Sequence, residues 1–201
     1  MLEMSNHHPE IDLSEVHELP HQEVNLCGIH HDEEWILDIG GGGEGIIGSL
    51  EGRQVVAIDR VSDELLDTRN EALKLVMDAR QLNFLENSFG TATLFFTLMY
   101  IPLDDLSSVF GEISRVLKPG GELLIWDVNV ELPSDIEEKK YFLVPLTVVF
   151  PDGRRRTTGY GAAIRDQNMD SFIVEAQKHG FEAIEQVTSG LTFFVRMALR
   201  K

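Results

Sequence analysis

Apolar residues recur at helical spacing over residues 104–118. Leu106, Val109, Phe110, Ile113, Val116 and Leu117 fall on one side of a helix that Pro119, Gly120 and Gly121 bring to an end. Most other apolar stretches are short and continuous, which is the pattern of strands buried on both faces of a parallel sheet. They lie near 35–39, 54–59, 73–77, 91–98 and 122–130, with helical segments at 44–51 and 62–72 between the first of them. Such alternation predicts an α/β fold, because a chain returning to a parallel strand needs a crossover, usually helical. Asn168 predicts the N-cap of a helix over 169–179 that stops at Gly180, and residues 181–188 and 192–199 predict two final strands.

Residues 131–168 break the alternation. Phe142 to Phe150 is rich in Val, Leu and Phe, Pro151-Asp152-Gly153 is a turn signal, and Arg154 to Tyr160 can return as a partner strand, so a hairpin insertion is expected. The chain divides into a leader, 1–34, and a main domain, 35–201. Residues 1–10 read as disordered and Leu13 to Leu19 as a short helix.

Charge changes the picture of the partners. Seventeen basic against thirty-four acidic residues give a net charge of −17, which repels nucleic-acid phosphates and anionic membrane surfaces and leaves small molecules or proteins as partners. One cysteine, Cys27, allows no internal disulfide, and no apolar run approaches eighteen residues, so a soluble cytoplasmic protein is expected. The first 52 residues hold twelve acids and no Lys or Arg. His7, His8, His17, His21, His30 and His31 lie there too, but without the spacing of a dedicated metal site; they read as solvated side chains, and no metal is expected.

The candidate chemistry begins at Ile36-Leu37-Asp38-Ile39-Gly40-Gly41-Gly42-Gly43-Glu44-Gly45, a buried strand running into a glycine loop that opens a helix. Glycine lets the backbone turn sharply and approach a ligand closely. Gly40, Gly42 and Gly45 have the spacing of a dinucleotide loop, yet Asp38 and Glu44 beside it would repel a pyrophosphate. A sulfonium ligand carrying an ammonium group suits those acids, and that ligand is S-adenosylmethionine. Asp59 ends the next strand twenty-one positions after Asp38, where such folds place the carboxylate that binds ribose hydroxyls. A nucleotide-dependent oxidoreductase is the rival on the same fold, and Asp38, Asp78 and Leu117-Lys118-Pro119-Gly120-Gly121 argue against it.

This order of motifs, with Asp78-Ala79 and the run Thr91 to Tyr100, resembles the class I S-adenosylmethionine-dependent methyltransferases, in particular the small-molecule group labelled type 11. The resemblance covers residues 35 to 130 closely and 169 to 201 in layout. It implies a Rossmann-like seven-stranded sheet, mostly parallel with an antiparallel final strand and helices on both faces. It implies a methyl transfer by in-line displacement to a small-molecule acceptor, with S-adenosylmethionine as cofactor. The alternative is a non-catalytic protein that binds this cofactor in a regulatory or assembly role.

Carried over by position, the resemblance assigns Asp38 and the backbone of Gly40, Gly41 and Gly42 to the methionine end of the cofactor. It assigns Asp59 to the ribose, with Arg60 beside it as a further cofactor-binding residue, Asp78 and Ala79 to the adenine edge, and Phe95 and Phe96 to the neighbourhood of the methyl. The leader helix is expected as a lid. Tyr100 stands near a position where the family often has a histidine, and is the candidate catalytic or substrate-facing group. Glu44 and Gly90 also depart from the family pattern, standing where a glycine and an aspartate are usual. Trp126 and Asp127 line either the substrate side or the core. Arg154-Arg155-Arg156, the one basic cluster, suggests an anionic acceptor, or else protection of an edge strand or the holding of a dimer partner.

Overall fold

The computed structural model describes residues 12–26, 29, 34–131 and 139–200. In chain order the elements are β1 (Val16–Glu18), β2 (Gln22–Asn25), β3 (Ile36–Ile39), α1 (Ile46–Glu51), β4 (Val55–Asp59), α2 (Ser62–Asp67), β5 (Leu73–Val76) and β6 (Phe89–Phe95). They continue with α3 (Leu106–Val116), β7 (Leu117–Val128), β8 (Tyr141–Val149), β9 (Arg155–Ala163), α4 (Met169–Gln177), β10 (Phe181–Ser189) and β11 (Thr192–Leu199). Among the described residues no helix is long and apolar enough to cross a membrane.

Seven strands form the main sheet in the order β10-β11-β7-β6-β3-β4-β5. β7, β6, β3, β4 and β5 run parallel, and β11 is antiparallel to both of its neighbours. The reason is local: Ser189 pairs with Thr192 across a two-residue turn in which Gly190 has φ +59°, and so tight a turn can only reverse the chain. Side chains alternate along each strand. Leu37, Ile39, Val56, Ile58, Leu94, Leu123 and Ile125 pack on the apolar stripe of α3 and on Phe172 and Ile173 of α4. Ile36, Val55, Ala57, Leu124, Trp126 and Val128 face the other side, where they meet Ile46 and Ile47 of α1. With both faces covered, every strand position can be apolar, which is why the sequence runs are continuous.

A second, four-stranded sheet covers part of the α1 face. β8 pairs antiparallel with β9 along its whole length, from Tyr141↔Ala163 to Val149↔Arg155. On its other edge β8 receives β1 at Tyr141–Leu143 and β2 at Leu146–Val149, both parallel, with Pro20 interrupting what is otherwise one strand. Phe142, Val144, Leu146 and Val148 recur at period two and join the core, together with Leu19, Val24 and Leu26.

This corrects the expected leader helix. Only Leu13–Glu15 make a 3-10 turn, capped by Asp12 through a 2.9 Å bond from the Ser14 amide, and the strand begins at Val16. A seven-residue helix has a costly nucleus, whereas the open edge of β8 offers ready backbone partners. The segment is therefore paired along the edge of β8, with Leu19 as its buried side chain. Other boundaries shift for identifiable reasons. β6 stops at Phe95 because Phe96 turns the chain with φ +51°, and β7 starts at Leu117 because Leu117 already pairs with Phe89.

Candidate functional site

The carboxyl ends of β3, β4, β5 and β6 meet where strand order reverses, with β4 on one side of β3 and β6 on the other. Open α/β sheets bind ligands at such points, because the loops diverge and leave a crevice. Gly40, with φ +71°, starts the glycine loop, and the Gly40 and Gly41 amides both donate to the Ile58 carbonyl at 2.9 and 3.0 Å, bending the loop over β4. A Cβ on Gly41 would lie 2.6 Å from Asp38 Oδ2, and one on Gly42 2.8 Å from Asp59 Oδ2. The loop thus runs directly across two carboxylates, and side chains there would fill the cradle.

The loop is also held from the α2 side. Thr68 donates its hydroxyl to the Gly43 carbonyl at 2.9 Å and Asn70 its amide to the Gly45 carbonyl at 3.0 Å. Their use here ends α2 at Asp67, short of the expected residue 72. Gly45 sits in the left-handed region at φ +53°, so α1 begins after it, at Ile46, rather than at Glu44. Thr68 and Asn70 carried no motif in the sequence.

Asp38 is buried and accepts a 2.7 Å bond from the Thr93 hydroxyl. Desolvation pushes its pKa up to about 7, with the Thr93 bond opposing and the charge of Asp59 adding to the rise. Asp59 accepts from the Val61 amide at 2.9 Å. Asp78 is gripped by Arg80, whose Nη2 lies 2.7 Å from Oδ2, and its pKa falls to about 2 chiefly through that bond. Arg60 lies 3.6 Å from the same carboxylate, so it neighbours Asp78 as well as Asp59. Ala79 packs at the edge of the α3-side core.

Phe95 and Phe96 are buried at the end of β6, and β9 brings a third ring to them. Tyr160 stacks on Phe96 with centroids 4.9 Å apart and planes 17° from parallel, and meets Phe95 edge-on at 6.1 Å. Sequence reading had no signal for Tyr160 beyond its place in the hairpin. Trp126 lies in the core, 5.9 Å from Phe95 and 4.8 Å from Phe194. Tyr100 has a half-exposed ring, but its hydroxyl faces the Gly161 backbone, and desolvation raises its pKa. It therefore stays protonated at neutral pH.

Asp127 is fully buried at the end of β7. Its Oδ1 accepts from the Val128 amide at 2.8 Å and from Gln167 at 3.1 Å, while Oδ2 has no partner among the described residues. Desolvation raises its pKa to about 7, with the nearby Met99 and Leu98 amides and Arg165 opposing. Arg165 donates to the carbonyls of Ile101 and Leu98, tying the segment after the hairpin to the turn that carries Tyr100.

The arginine cluster is engaged within the molecule. Arg154 pairs with Asp152 at 2.6 Å and lies over Phe150, Arg155 pairs with Glu23, and Arg156 donates to the Glu44 carbonyl at 2.6 Å. An anionic acceptor held by this cluster is therefore not supported. Of the leader histidines, His21 bonds Thr147 at 2.9 Å and His17 lies in β1; His7, His8, His30 and His31, like Cys27, fall outside the described residues. Among the described residues no group of His, Cys, Asp or Glu forms a metal site.

The cradle and its carboxylates fit a ligand with ribose hydroxyls at one end and a positive charge at the other, which is the chemistry of S-adenosylmethionine. Comparison with known proteins agrees. The methyltransferase-domain family model matches residues 37–125. A sterol 4-C-methyltransferase of Caenorhabditis elegans is 34% identical over 65 residues, 32% of this chain and 19% of that protein. A ubiquinone/menaquinone biosynthesis C-methyltransferase of Desulfotalea psychrophila is 44% identical over 54 residues, 27% of this chain and 21% of that protein. The chain spans about a fifth of the length of these curated relatives. Among solved structures, an S-adenosylmethionine-dependent methyltransferase of Methanosarcina mazei superposes with a TM-score of 0.64 at 20% identity, covering 85% of this chain and 94% of that one.

Proposed function

We propose, from the premise that this chain is a class I S-adenosylmethionine-dependent methyltransferase in domain and fold, that it methylates a small acceptor bearing an apolar ring system. The observation that carries the cofactor half is the cradle, in which Gly41 and Gly42 lie too close to Asp38 and Asp59 to admit a Cβ. Bound S-adenosylmethionine supplies a methyl group made electrophilic by its sulfonium. Asp38 and the Gly40–Gly42 backbone would hold its methionine end, Asp59 and Arg60 its ribose, and Asp78 and Ala79 its adenine. These assignments give each carboxylate a donor or a cation to meet.

The acceptor half rests on the aromatic wall. Phe95, Phe96 and Tyr160 pack ring against ring into a buried apolar cluster beside the cradle, and displacement in line is favoured by holding the nucleophile close in a dry site. Tyr100, kept protonated, can orient a polar group of the acceptor. The sterol and quinone named for the partial relatives are ring systems of this kind, which supports the reading.

The test has two stages. Calorimetry of the wild type with S-adenosylhomocysteine should show binding; none would sink the proposal. Incubation with methyl-labelled cofactor and fractionated metabolites should then move label into an apolar ring compound. Binding with no transfer to any fraction would select the non-catalytic alternative.

A further inference from the structure

Glu44 is the only side chain in the run Gly40–Gly45, and it reaches across to β9. Its Oε1 accepts a 2.9 Å bond from the Thr158 hydroxyl of β9. Its carbonyl accepts from Arg156 Nη1 at 2.6 Å, and the same guanidinium reaches Ser49 of α1 at 3.4 Å. Two positions further along β9, Tyr160 stacks on Phe96. Arg156, Thr158 and Tyr160 are alternate residues of one strand, so they share a face, and that face meets the cofactor loop at one end and the aromatic wall at the other.

We infer that the Glu44–Thr158 bond links the cofactor loop to the β8–β9 hairpin, so that occupation of the loop fixes the wall presenting Tyr160 to the acceptor. This rests on the cofactor reading given above. The physical reason is linkage. β9 is an edge strand whose one strand partner among the described residues is β8, and its ties to the main domain include the Arg156, Thr158 and Tyr160 contacts. The loop is gripped by Thr68 and Asn70 from one side and by β9 from the other. A ligand that stabilises one arrangement of the loop stabilises the β9 arrangement bonded to it, and the effect is reciprocal. Glu44 and Thr158 are thus positioning residues: they touch each other, and act on the acceptor through Tyr160. The expected order of binding is cofactor first, acceptor second.

Hydrogen exchange over residues 155–163, with and without saturating S-adenosylhomocysteine, tests this. In the wild type the ligand should slow exchange there by about fivefold or more, the lower range of site-to-site coupling. Thr158→Val and Glu44→Ala should bind the ligand but lose most of that slowing, while Thr158→Ser and Glu44→Gln, which keep a hydroxyl and a carbonyl acceptor, should retain it. A merely structural bond would speed exchange equally in both states, and that outcome overturns the linkage. So does wild-type binding without slowing, or full slowing in Thr158→Val. Failure of the wild type to bind the ligand at all would overturn the cofactor reading itself, and the linkage with it.

Discussion

Thr93 donates its hydroxyl to Asp38 at 2.7 Å beneath the glycine loop, in a part of the sheet that water does not reach. That bond favours the charged carboxylate, but desolvation outweighs it, and the pKa rises from 3.8 to about 7. A carboxyl whose folded pKa exceeds its unfolded one contributes stability at low pH that is lost as pH rises through the folded value. Between about pH 4 and 7 the native state keeps a proton that the unfolded chain releases, worth up to about 1.4 kcal/mol per pH unit. Asp38→Asn cannot titrate. Its melting temperature relative to the wild type should therefore climb from pH 4 to pH 8; a constant difference would show that Asp38 is charged throughout.

The same group links cofactor binding to protons. A ligand ammonium near Asp38 favours the carboxylate, so binding near neutral pH expels the proton. Affinity for S-adenosylhomocysteine should rise between pH 6 and 7.5 by up to about tenfold per unit, and flatten above. Calorimetry in phosphate and in Tris should give different heats near pH 7. Equal heats in both buffers would remove Asp38 from the binding site.

Asp59 closes β4 with its Oδ2 against Gly42, and the only bond to its Oδ1 is the exposed one from Val61 among the described residues. Asp59→Ala should weaken S-adenosylhomocysteine binding by about 1.5–3 kcal/mol, the cost of leaving ribose hydroxyls without a charged acceptor, while the melting temperature stays nearly constant. Undiminished affinity would place the ribose elsewhere.

Two glycines separate space from backbone conformation. A Cβ on Gly41 would meet Asp38 Oδ2 at 2.6 Å and Ala57 Cβ at 2.8 Å, so Gly41→Ala should cost about 1–3 kcal/mol and abolish cofactor binding. Gly120, at φ +75° with no atom within 4 Å of such a Cβ, is the contrast. Gly120→Ala should cost only the left-handed strain, about 1–2 kcal/mol, and leave binding intact. Thermal melts and calorimetry on the two variants distinguish these effects.

Leu26 tests the place of the leader. It is buried in the core shared with β8, and its amide donates to the Val149 carbonyl at 2.9 Å. Leu26→Ala should lower stability by about 2–4 kcal/mol in chemical denaturation. A change below 0.5 kcal/mol, the range of ordinary surface substitutions, would return the segment to the periphery.

What the sequence determined by itself was whatever depends on short-range pattern. Continuous apolar runs placed β3, β4 and β6, the stripe from Leu106 to Val116 placed α3, and Gly40, Gly42, Asp59 and Asp78 stood in a recognisable order because the carboxyl ends of successive strands follow each other along the chain. Tertiary structure alone decided which distant segments share an edge or a face. Val16–Glu18 and Gln22–Asn25 became strand because β8, more than a hundred residues later, offered unpaired backbone groups, and no local propensity records such an offer. Thr68, Asn70, Thr158 and Tyr160 reach the site through hydrogen bonds and ring contacts whose partners lie from 25 to 114 positions away, so no spacing rule marks them. Arg154–Arg156 show the converse. Their charge was plain in the sequence, but whether it faces a ligand depends on Asp152, Glu23 and the Glu44 carbonyl, and only folding brought the last two to them.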